Sequence, residues 1–198
     1  MISATIGGFA LRLATAPGLF ARWGPDKGTL AMLSCVTFEP DDKVLDLGCG
    51  YGLVGLVAAK VVGPERVVMS DIDPLAIETA RRNLEANGGA GAKLVLSDGF
   101  DDISDAGFTK ILSNPPYHAD FAVPKRFIEK GFNRLAVGGA MFMVTRRDLW
   151  YRRKFEAIFG GVKVRELEGY FVFEAIKKST QYSSRPDRKA RSASSKPA

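Results

Sequence analysis

The chain has 198 residues, of which 46% are hydrophobic and 25% charged, values that exclude a wholly disordered chain and a collagen-like one and fit one domain. The net charge of +6 is concentrated in residues 177–198, which hold seven Lys or Arg and one Asp, so the remainder is neutral. Two cysteines, a single histidine and no long uncharged apolar run exclude a disulfide scaffold, a Cys/His zinc site and a membrane span. We expect no metal and a reducing compartment, the cytoplasm.

From residue 43 onward, apolar runs alternate with helical segments. Helices are predicted from the start signal Asp73-Pro74 to the stop signal Asn87-Gly88, and over residues 52–62, 124–135 and 149–159. Strands are predicted over residues 43–46, 66–70, 93–97, 109–113, 141–145, 162–167 and 170–176. This alternation predicts an α/β fold with a doubly wound, mostly parallel seven-stranded sheet and an antiparallel C-terminal hairpin.

The predicted domain organisation is simple. Residues 1–176 form one domain, of which residues 1–40 are an N-terminal segment and helix. Residues 177–198 form a basic tail that buries too little apolar surface to order itself. Two interpretations of this tail stay open, a solubilising extension and a non-specific grip on phosphates.

A glycine-rich loop follows the first predicted strand. Its sequence, DLGCGYG at residues 46–52, includes Gly50, Gly52 and Gly55 at G-x-G-x-x-G spacing, and Asp71 follows Gly50 by 21 residues. This spacing is typical of a site for an adenosine-bearing cofactor, with the acid on the ribose, but does not by itself separate a nicotinamide cofactor from others. Asp46 before the glycines would repel a diphosphate and attract a cationic aminoacyl group.

Asp98 follows the third predicted strand in the sequence SDGF at residues 97–100. A carboxylate at this strand end is placed to accept a hydrogen bond from an adenine amino group. A helix cap or turn is an equally good explanation of Asp98.

The sequence NPPY at residues 114–117 follows the fourth predicted strand. Pro115 and Pro116 remove two backbone donors and stiffen the loop, which leaves the Asn114 side-chain oxygen and the Pro115 carbonyl as acceptors. Two acceptors that hold both N–H groups of a planar amine direct its lone pair, and Tyr117 can stack on the planar group. We predict that Asn114, Pro115, Pro116 and Tyr117 form a catalytic site for transfer to an amino nitrogen.

With these motifs the sequence resembles the class I S-adenosylmethionine-dependent methyltransferases, which have a Rossmann-like fold, and among them the "methyltransferase small" family. The resemblance covers about residues 16–177 and implies S-adenosylmethionine as cofactor. It implies that Asp46 and Gly48 face the methionine end, Asp71 the ribose and Asp98 the adenine, and that Gly28 and Thr29 close over the cofactor. The other predicted cofactor contacts are Cys49, Gly50, Gly52, Ile72, Gly99 and Asn114.

The family includes ribosomal RNA guanine-N2 methyltransferases. The resemblance therefore implies transfer to guanine N2, with ribosomal RNA or a ribosomal particle as partner. Adenine-N6 and protein glutamine-N5 methyltransferases share NPPY and stay open as alternatives. A nicotinamide-dependent oxidoreductase and a non-catalytic RNA-binding module are more distant ones. The oligomeric state is not predicted.

Four residues are predicted to contact the substrate: Tyr117, His118, Arg146 and Arg147. For His118, a base that takes the amine proton and a packing role are the alternatives. The segment at residues 146–154 holds five cations and two aromatic residues after the fifth predicted strand, which suits an RNA surface. The alternative is a solvated amphipathic helix whose Trp150 and Tyr151 pack inward.

Overall fold

A computed structural model describes residues 2–19, 24–116 and 121–183 of the chain. The strands in these ranges are β1 (Ile2–Ile6), β2 (Phe9–Leu13), β3 (Val44–Leu47), β4 (Val67–Asp71), β5 (Lys93–Leu96), β6 (Phe108–Ser113), β7 (Leu135–Thr145), β8 (Lys163–Leu167) and β9 (Tyr170–Ile176). The α-helices are α1 (Lys27–Leu33), α2 (Leu53–Val62), α3 (Pro74–Ala86), α4 (Ala122–Arg134) and α5 (Leu149–Phe159).

Strands β3 to β9 form one seven-stranded sheet in the order β5-β4-β3-β6-β7-β9-β8. The pairs from β5 to β7 are parallel, and β9 is antiparallel to both β7 and β8. The predicted doubly wound, mostly parallel sheet with an antiparallel C-terminal hairpin is confirmed. The chain runs outward from β3 to β5 and then crosses to β6, so the strand order reverses between β3 and β6. Ligands of such sheets bind at this reversal.

Both faces of the sheet are covered by helices. One cluster of buried apolar side chains joins α1, α2 and α3 to the sheet and includes Met32, Leu56 and Met69. The other cluster joins α4 and α5 to the opposite face and includes Phe127 and Phe155. Removal of this apolar surface from water on both faces is the main source of stability, and it holds the strand ends in a rigid arrangement.

An antiparallel hairpin of β1 and β2 precedes the sheet, and the sequence analysis did not predict these strands. They are joined by Gly7 and Gly8, whose φ angles of 58° and 83° suit a tight hairpin turn. Asn83 on α3 holds the hairpin: its Oδ1 accepts from the Ala14 N–H at 2.6 Å, and its Nδ2 donates to the Ala14 carbonyl at 2.9 Å. The predicted N-terminal segment is therefore this hairpin followed by α1.

The folded body continues past the predicted boundary at residue 177. The Lys177 N–H donates to the Gly139 carbonyl at 2.9 Å, which prolongs the pairing of β9 with β7. The Tyr182 ring packs edge-on against Phe132 with centroids 4.9 Å apart, and the Ser183 N–H bonds to α5. A tail that starts at Lys177 is therefore wrong, because residues 177–183 make ladder and aromatic contacts. The rest of the predicted tail lies outside the described residues.

The described part of the chain contains no helix with the length and apolar character needed to cross a membrane. Within the same residues, no group of three or more His, Cys, Asp or Glu side chains is arranged to hold a metal ion. Cys35 and Cys49 are not joined in a disulfide.

Candidate functional site

A cavity of about 330 Å³ lies at the carboxyl ends of β3, β4, β5 and β6, beside the reversal of strand order. Its volume is at the small end of the range for ligand pockets. The sequence-predicted site residues on its lining are Thr29, Asp46, Gly48, Cys49, Gly50, Asp71, Ile72, Asp98, Gly99, Asn114, Pro115 and Pro116. Residues on the lining that the sequence analysis missed are Tyr51, Leu53, Val54, Ser70, Ser97, Val123 and Phe127.

Two predicted cofactor contacts, Gly28 and Gly52, do not line the cavity. Gly28 is buried in α1. A Cβ atom at Gly52 would lie 2.7 Å from Met69 Cε and 2.9 Å from Ala80 Cβ, so the absence of a side chain lets α2 pack closely on β4 and α3. The structure therefore gives Gly52 a packing role rather than a contact with the cavity.

Asp46 is the most deeply buried carboxylate of the cavity, with 3% of its surface exposed. Its Oδ2 accepts from the Gly55 N–H at 2.8 Å. Burial, together with the nearby charge of Asp71, raises the pKa of Asp46 to about 7, although the Gly55 hydrogen bond opposes this shift. A cation in the cavity would favour the ionised form of Asp46.

Backbone N–H groups of the glycine-rich loop are bound within the protein. The Gly48 and Cys49 N–H groups donate to the Ser70 carbonyl at 2.9 and 2.8 Å, and the Gly50 N–H donates to Asp71 Oδ2 at 2.8 Å. A diphosphate at the start of a helix requires such N–H groups for itself. This loop is therefore built to orient Asp71 rather than to bind phosphate.

Ser70 lies at the end of β4 and lines the cavity. Its hydroxyl is buried and has no hydrogen-bond partner among the described residues. A buried hydroxyl without a partner costs about 1–3 kcal/mol, so a polar ligand atom in the cavity would stabilise it. The sequence offered no reason to select Ser70, since a serine at the end of a buried strand usually has only a structural role.

Asp98 lines the cavity after β5 and forms an ion pair with Arg126 of α4. Arg126 also lies 3.7 Å from Asp101 Oδ2. The Asp101 N–H donates to the Asp98 main-chain carbonyl at 3.4 Å, so Asp98 begins a turn as well as facing the cavity. This position is compatible with both interpretations of Asp98, a contact with adenine and a turn residue. A ligand that binds the Asp98 carboxylate would have to share it with Arg126.

Asn114 follows β6 directly and lines the cavity. Its Nδ2 donates to Asp26 Oδ2 at 2.9 Å and to Thr29 Oγ1 at 2.9 Å, so the amide nitrogen points toward α1. Asp26 caps α1, since the same Oδ2 accepts from the Thr29 N–H at 2.9 Å. Thr29 is a site residue predicted from the sequence, whereas Asp26 is not, because its spacing from Thr29 indicates only a helix cap.

The two prolines of the loop differ in exposure. Pro115 is buried, Pro116 is exposed, and both line the cavity. Tyr117 and His118 lie outside the described residues, so their predicted roles in stacking and substrate contact stay predictions.

Arg146 and Arg147 follow β7 and do not line the cavity. Arg146 Nη2 donates to the Tyr170 hydroxyl at 2.9 Å. The Arg147 Cζ lies 5.0 Å from the centre of the Phe121 ring, which in turn stacks on Trp150 with centroids 4.4 Å apart. Arg147, Phe121 and Trp150 form a three-layer stack, which we call the aromatic stack.

Helix α5 has features of both interpretations of residues 146–154, an RNA surface and an amphipathic helix whose aromatic residues pack inward. Tyr151 is 4% exposed and stacks on Phe173, so it packs inward as the amphipathic-helix alternative expects. The cation Arg152 pairs with Asp148 at 3.1 Å. Trp150 is half-buried, packs against the core and stacks on Phe121, so it keeps exposed surface while Tyr151 does not. The interpretation that both aromatic residues are available to RNA is therefore wrong for Tyr151.

The strand order and the cavity at the reversal of the sheet define a Rossmann-like domain of the methyltransferase type. The family model of the methyltransferase small domain matches residues 10–174. The chain belongs to the methyltransferase small domain family.

Relatives with known names are similar to this chain over most of its length. Ribosomal RNA small subunit methyltransferase C of Serratia proteamaculans is 34% identical over 170 residues, which are 83% of this chain and 48% of that protein. The protein of the same name from Pseudomonas putida strain GB-1 is 32% identical, over 83% of this chain and 51% of its own. The chain thus spans about half the length of these relatives.

A solved structure similar to the fold is the T. thermophilus 16S rRNA N2 G1207 methyltransferase RsmC in complex with AdoMet and guanosine. Its TM-score is 0.82 at 30% identity, and the match covers 89% of this chain and 50% of that one. A methyltransferase from Pyrococcus furiosus has a TM-score of 0.68 at 20% identity, which supports the fold alone.

Proposed function

We propose that this chain is an S-adenosylmethionine-dependent N-methyltransferase that acts on the N2 amine of a guanine in ribosomal RNA. The observation that carries the proposal is that Asn114 shares one cavity with the strand-end acids Asp46 and Asp71. Family membership and the names of the relatives point to the same activity.

The cavity residues suit the parts of this cofactor. Asp46 would face the cationic aminoacyl end, and Asp71, oriented by the Gly50 and Asp73 N–H groups, would accept from the ribose hydroxyls. Ser70 offers a buried hydroxyl that lacks a partner in the described structure. When bound, S-adenosylmethionine supplies an electrophilic methyl group on a sulfonium centre.

The loop after β6 would prepare the acceptor. The Asn114 Oδ1 and the Pro115 carbonyl would accept the two N–H groups of the exocyclic amine and direct the nitrogen lone pair toward the methyl group. The carbon–nitrogen bond forms as the carbon–sulfur bond breaks, and the methylated amine then loses its proton to solvent. Positioning of this kind can lower a barrier by roughly 7–11 kcal/mol, so the proposal needs no strong base and no metal.

The same loop argues against the nicotinamide alternative. The Gly48, Cys49 and Gly50 N–H groups donate within the protein, and the buried Asp46 side chain of β3 accepts from the Gly55 N–H in the first turn of α2. A dinucleotide needs loop N–H groups for its pyrophosphate, which a carboxylate at this place would repel.

RNA as the substrate rests on the names of the relatives and on surface chemistry. A guanine must leave its base stack to reach a cavity of this kind. Arg146, Arg147 and Trp150 follow β7, and Phe121 at the start of α4 completes the aromatic stack, so a flanking nucleotide could meet cations and rings there. Action on ribosomal RNA or on a ribosomal particle in the cytoplasm is part of the proposal.

The test is transfer of a labelled methyl group into total RNA from cells that lack this protein, followed by nucleoside analysis. We expect label in N2-methylguanosine. Label in N6-methyladenosine would favour the adenine alternative, and label in protein would favour glutamine. Asn114→Ala should abolish transfer even at saturating cofactor, whereas Asp71→Ala should mainly weaken cofactor binding. Full transfer by Asn114→Ala would contradict the mechanism.

A further inference from the structure

Asn114 has two ends that differ in chemistry but hardly in shape. The amide oxygen accepts hydrogen bonds and the nitrogen donates them, so a flipped amide would present N–H groups to an acceptor amine that itself carries N–H groups. Methyl transfer therefore requires a contact that holds the Asn114 amide in one orientation.

Helix α1 supplies two acceptors for the nitrogen end, Asp26 Oδ2 and Thr29 Oγ1, each 2.9 Å from Asn114 Nδ2. The two are not equivalent. A threonine hydroxyl can donate or accept and would tolerate either end of the amide, whereas an ionised carboxylate only accepts. Asp26 therefore discriminates between the two orientations, and Thr29 does not.

Asp26 is itself held in place. It is partly buried, and its Oδ2 accepts from the Thr29 N–H at 2.9 Å as the cap of α1. The Leu30 N–H donates to the Asp26 main-chain carbonyl at 3.0 Å, so both the backbone and the side chain of Asp26 are anchored to the helix. Helix α1 packs on β7 and β9 and is thereby fixed relative to the loop that carries Asn114.

We propose that Asp26 is a positioning residue that holds the Asn114 amide with its nitrogen toward α1 and its oxygen toward the acceptor amine. This inference rests on the proposed function. It assigns to the cap of α1 a role in transfer that is separate from binding of the cofactor.

Two substitutions separate this role from capping. Asp26→Ser keeps a good cap but is too short to reach Asn114 as well. Asp26→Asn keeps an oxygen at the same reach, and the Thr29 N–H, which needs an acceptor, selects that oxygen over the amide nitrogen, so the oxygen can serve both the Thr29 N–H and Asn114. We expect Asp26→Ser to lower kcat about 10- to 100-fold with an unchanged KM for the cofactor, as misplacement of a reacting group does. We expect Asp26→Asn to stay within about threefold of the wild type, because it preserves the distances on which orientation depends.

A second measurement needs no methyl transfer. In the cofactor-free protein, the two Asn114 side-chain N–H signals should be resolved by ¹⁵N NMR and protected from solvent exchange, and Asp26→Ser should lose protection at least at the N–H that Asp26 accepts. Unchanged protection in Asp26→Ser, or wild-type kcat in that variant, would overturn the inference. Absence of transfer by the wild-type chain would contradict the proposed function instead, and the NMR comparison would still decide whether Asp26 orients Asn114.

Discussion

At the scale of single residues, the protonation state of the buried Asp46 depends both on folding and on the charge of a bound ligand. Burial raises the pKa of Asp46 from its ordinary value of 3.8 to about 7. Because the pKa is raised on folding, Asp46 contributes stability that is fully present below about pH 4 and is lost as the pH rises through 7. A cationic ligand draws the group back to its ionised form.

We expect binding of S-adenosylmethionine to release a proton near neutral pH and to strengthen as the pH rises from about 6 to 7, because Asp46 must ionise to face a cation. Calorimetry in buffers of different ionisation enthalpy measures both effects. Asp46→Asn is the matched control, since its amide oxygen can still accept from Gly55 while it cannot titrate. If Asp46→Asn keeps the same proton release, another group is responsible.

Gly52 is predicted from the sequence to contact the cofactor, but in the structure it packs against Met69 and Ala80. Its φ of 90° and the short distances to Met69 and Ala80 leave no room for a side chain. We expect Gly52→Ala to destabilise the fold by about 2–4 kcal/mol through strain and overpacking. Urea unfolding measures this loss, and Gly161→Ala is the control, since an added Cβ at Gly161 meets no atom within 4 Å among the described residues beyond its chain neighbours, and its φ is not positive. A stable Gly52→Ala variant with weakened cofactor binding would restore the predicted cofactor role.

At the scale of elements, α1 and the β6–α4 loop act as one unit. Side-chain hydrogen bonds from Asn114 reach both Asp26 and Thr29, while the Ser113 hydroxyl donates to the Leu47 carbonyl at 2.8 Å and ties β6 to β3. The glycine-rich loop is held in turn by β4. The cavity is therefore assembled from elements that contact one another through polar groups rather than only through the core.

The segment after β9 also belongs to this scale. Lys177 pairs with Gly138 and Gly139 of β7, the Ser183 N–H bonds to α5, and Tyr182 packs on Phe132. We therefore expect a chain that ends at Ile176 to lose about 2 kcal/mol or more of unfolding free energy. A chain that ends at Ser183 should match the stability of the 198-residue chain. Thermal and urea unfolding of the two truncations provide the measurement. Equal stability of both would show that these contacts contribute nothing.

At the scale of the whole molecule, the acidic side chains of the cavity are separated from the exposed arginines that follow β7. The acids of the site lie at the strand ends of β3, β4 and β5, whereas the exposed Arg146 and Arg147 lie after β7. Such an arrangement suits a substrate that is held by its backbone outside the cavity and enters it with one base.

We expect Arg147→Ala to weaken RNA binding and to reduce the slope of log affinity against log salt by roughly one contact's share, about 0.7 for a single strand. Arg81→Ala is the matched control, because Arg81 is an exposed cation paired with Glu78 at 3.9 Å on α3, which packs on the opposite face of the sheet from α5. Filter binding across a range of salt concentrations measures the slope. An equal effect of both substitutions would mean that RNA senses only net charge.

Local patterns made most of the elements predictable. The Asp73-Pro74 start and the Asn87-Gly88 stop define α3 because capping chemistry acts within a few residues. The β1–β2 hairpin was missed although Gly7-Gly8 separates two segments in which apolar residues alternate, a pattern typical of a hairpin. β7 begins at Leu135 rather than at residue 141, since its start depends on pairing with Phe108 and not on local hydrophobicity.

By itself, the sequence determined the alternation of strands and helices, the family, and the acids and the Asn-Pro-Pro loop that follow particular strands. Those features depend on neighbours in the chain, whose spacing is visible in a single sequence. Only the tertiary structure decided that Gly52 packs on Met69, that the buried Ser70 hydroxyl has no hydrogen-bond partner among the described residues, and that Asp26 accepts from the Asn114 amide. These are contacts between residues far apart in the chain, 88 positions in the case of Asp26 and Asn114, and they arise only when packing of helices on both sheet faces brings the elements together.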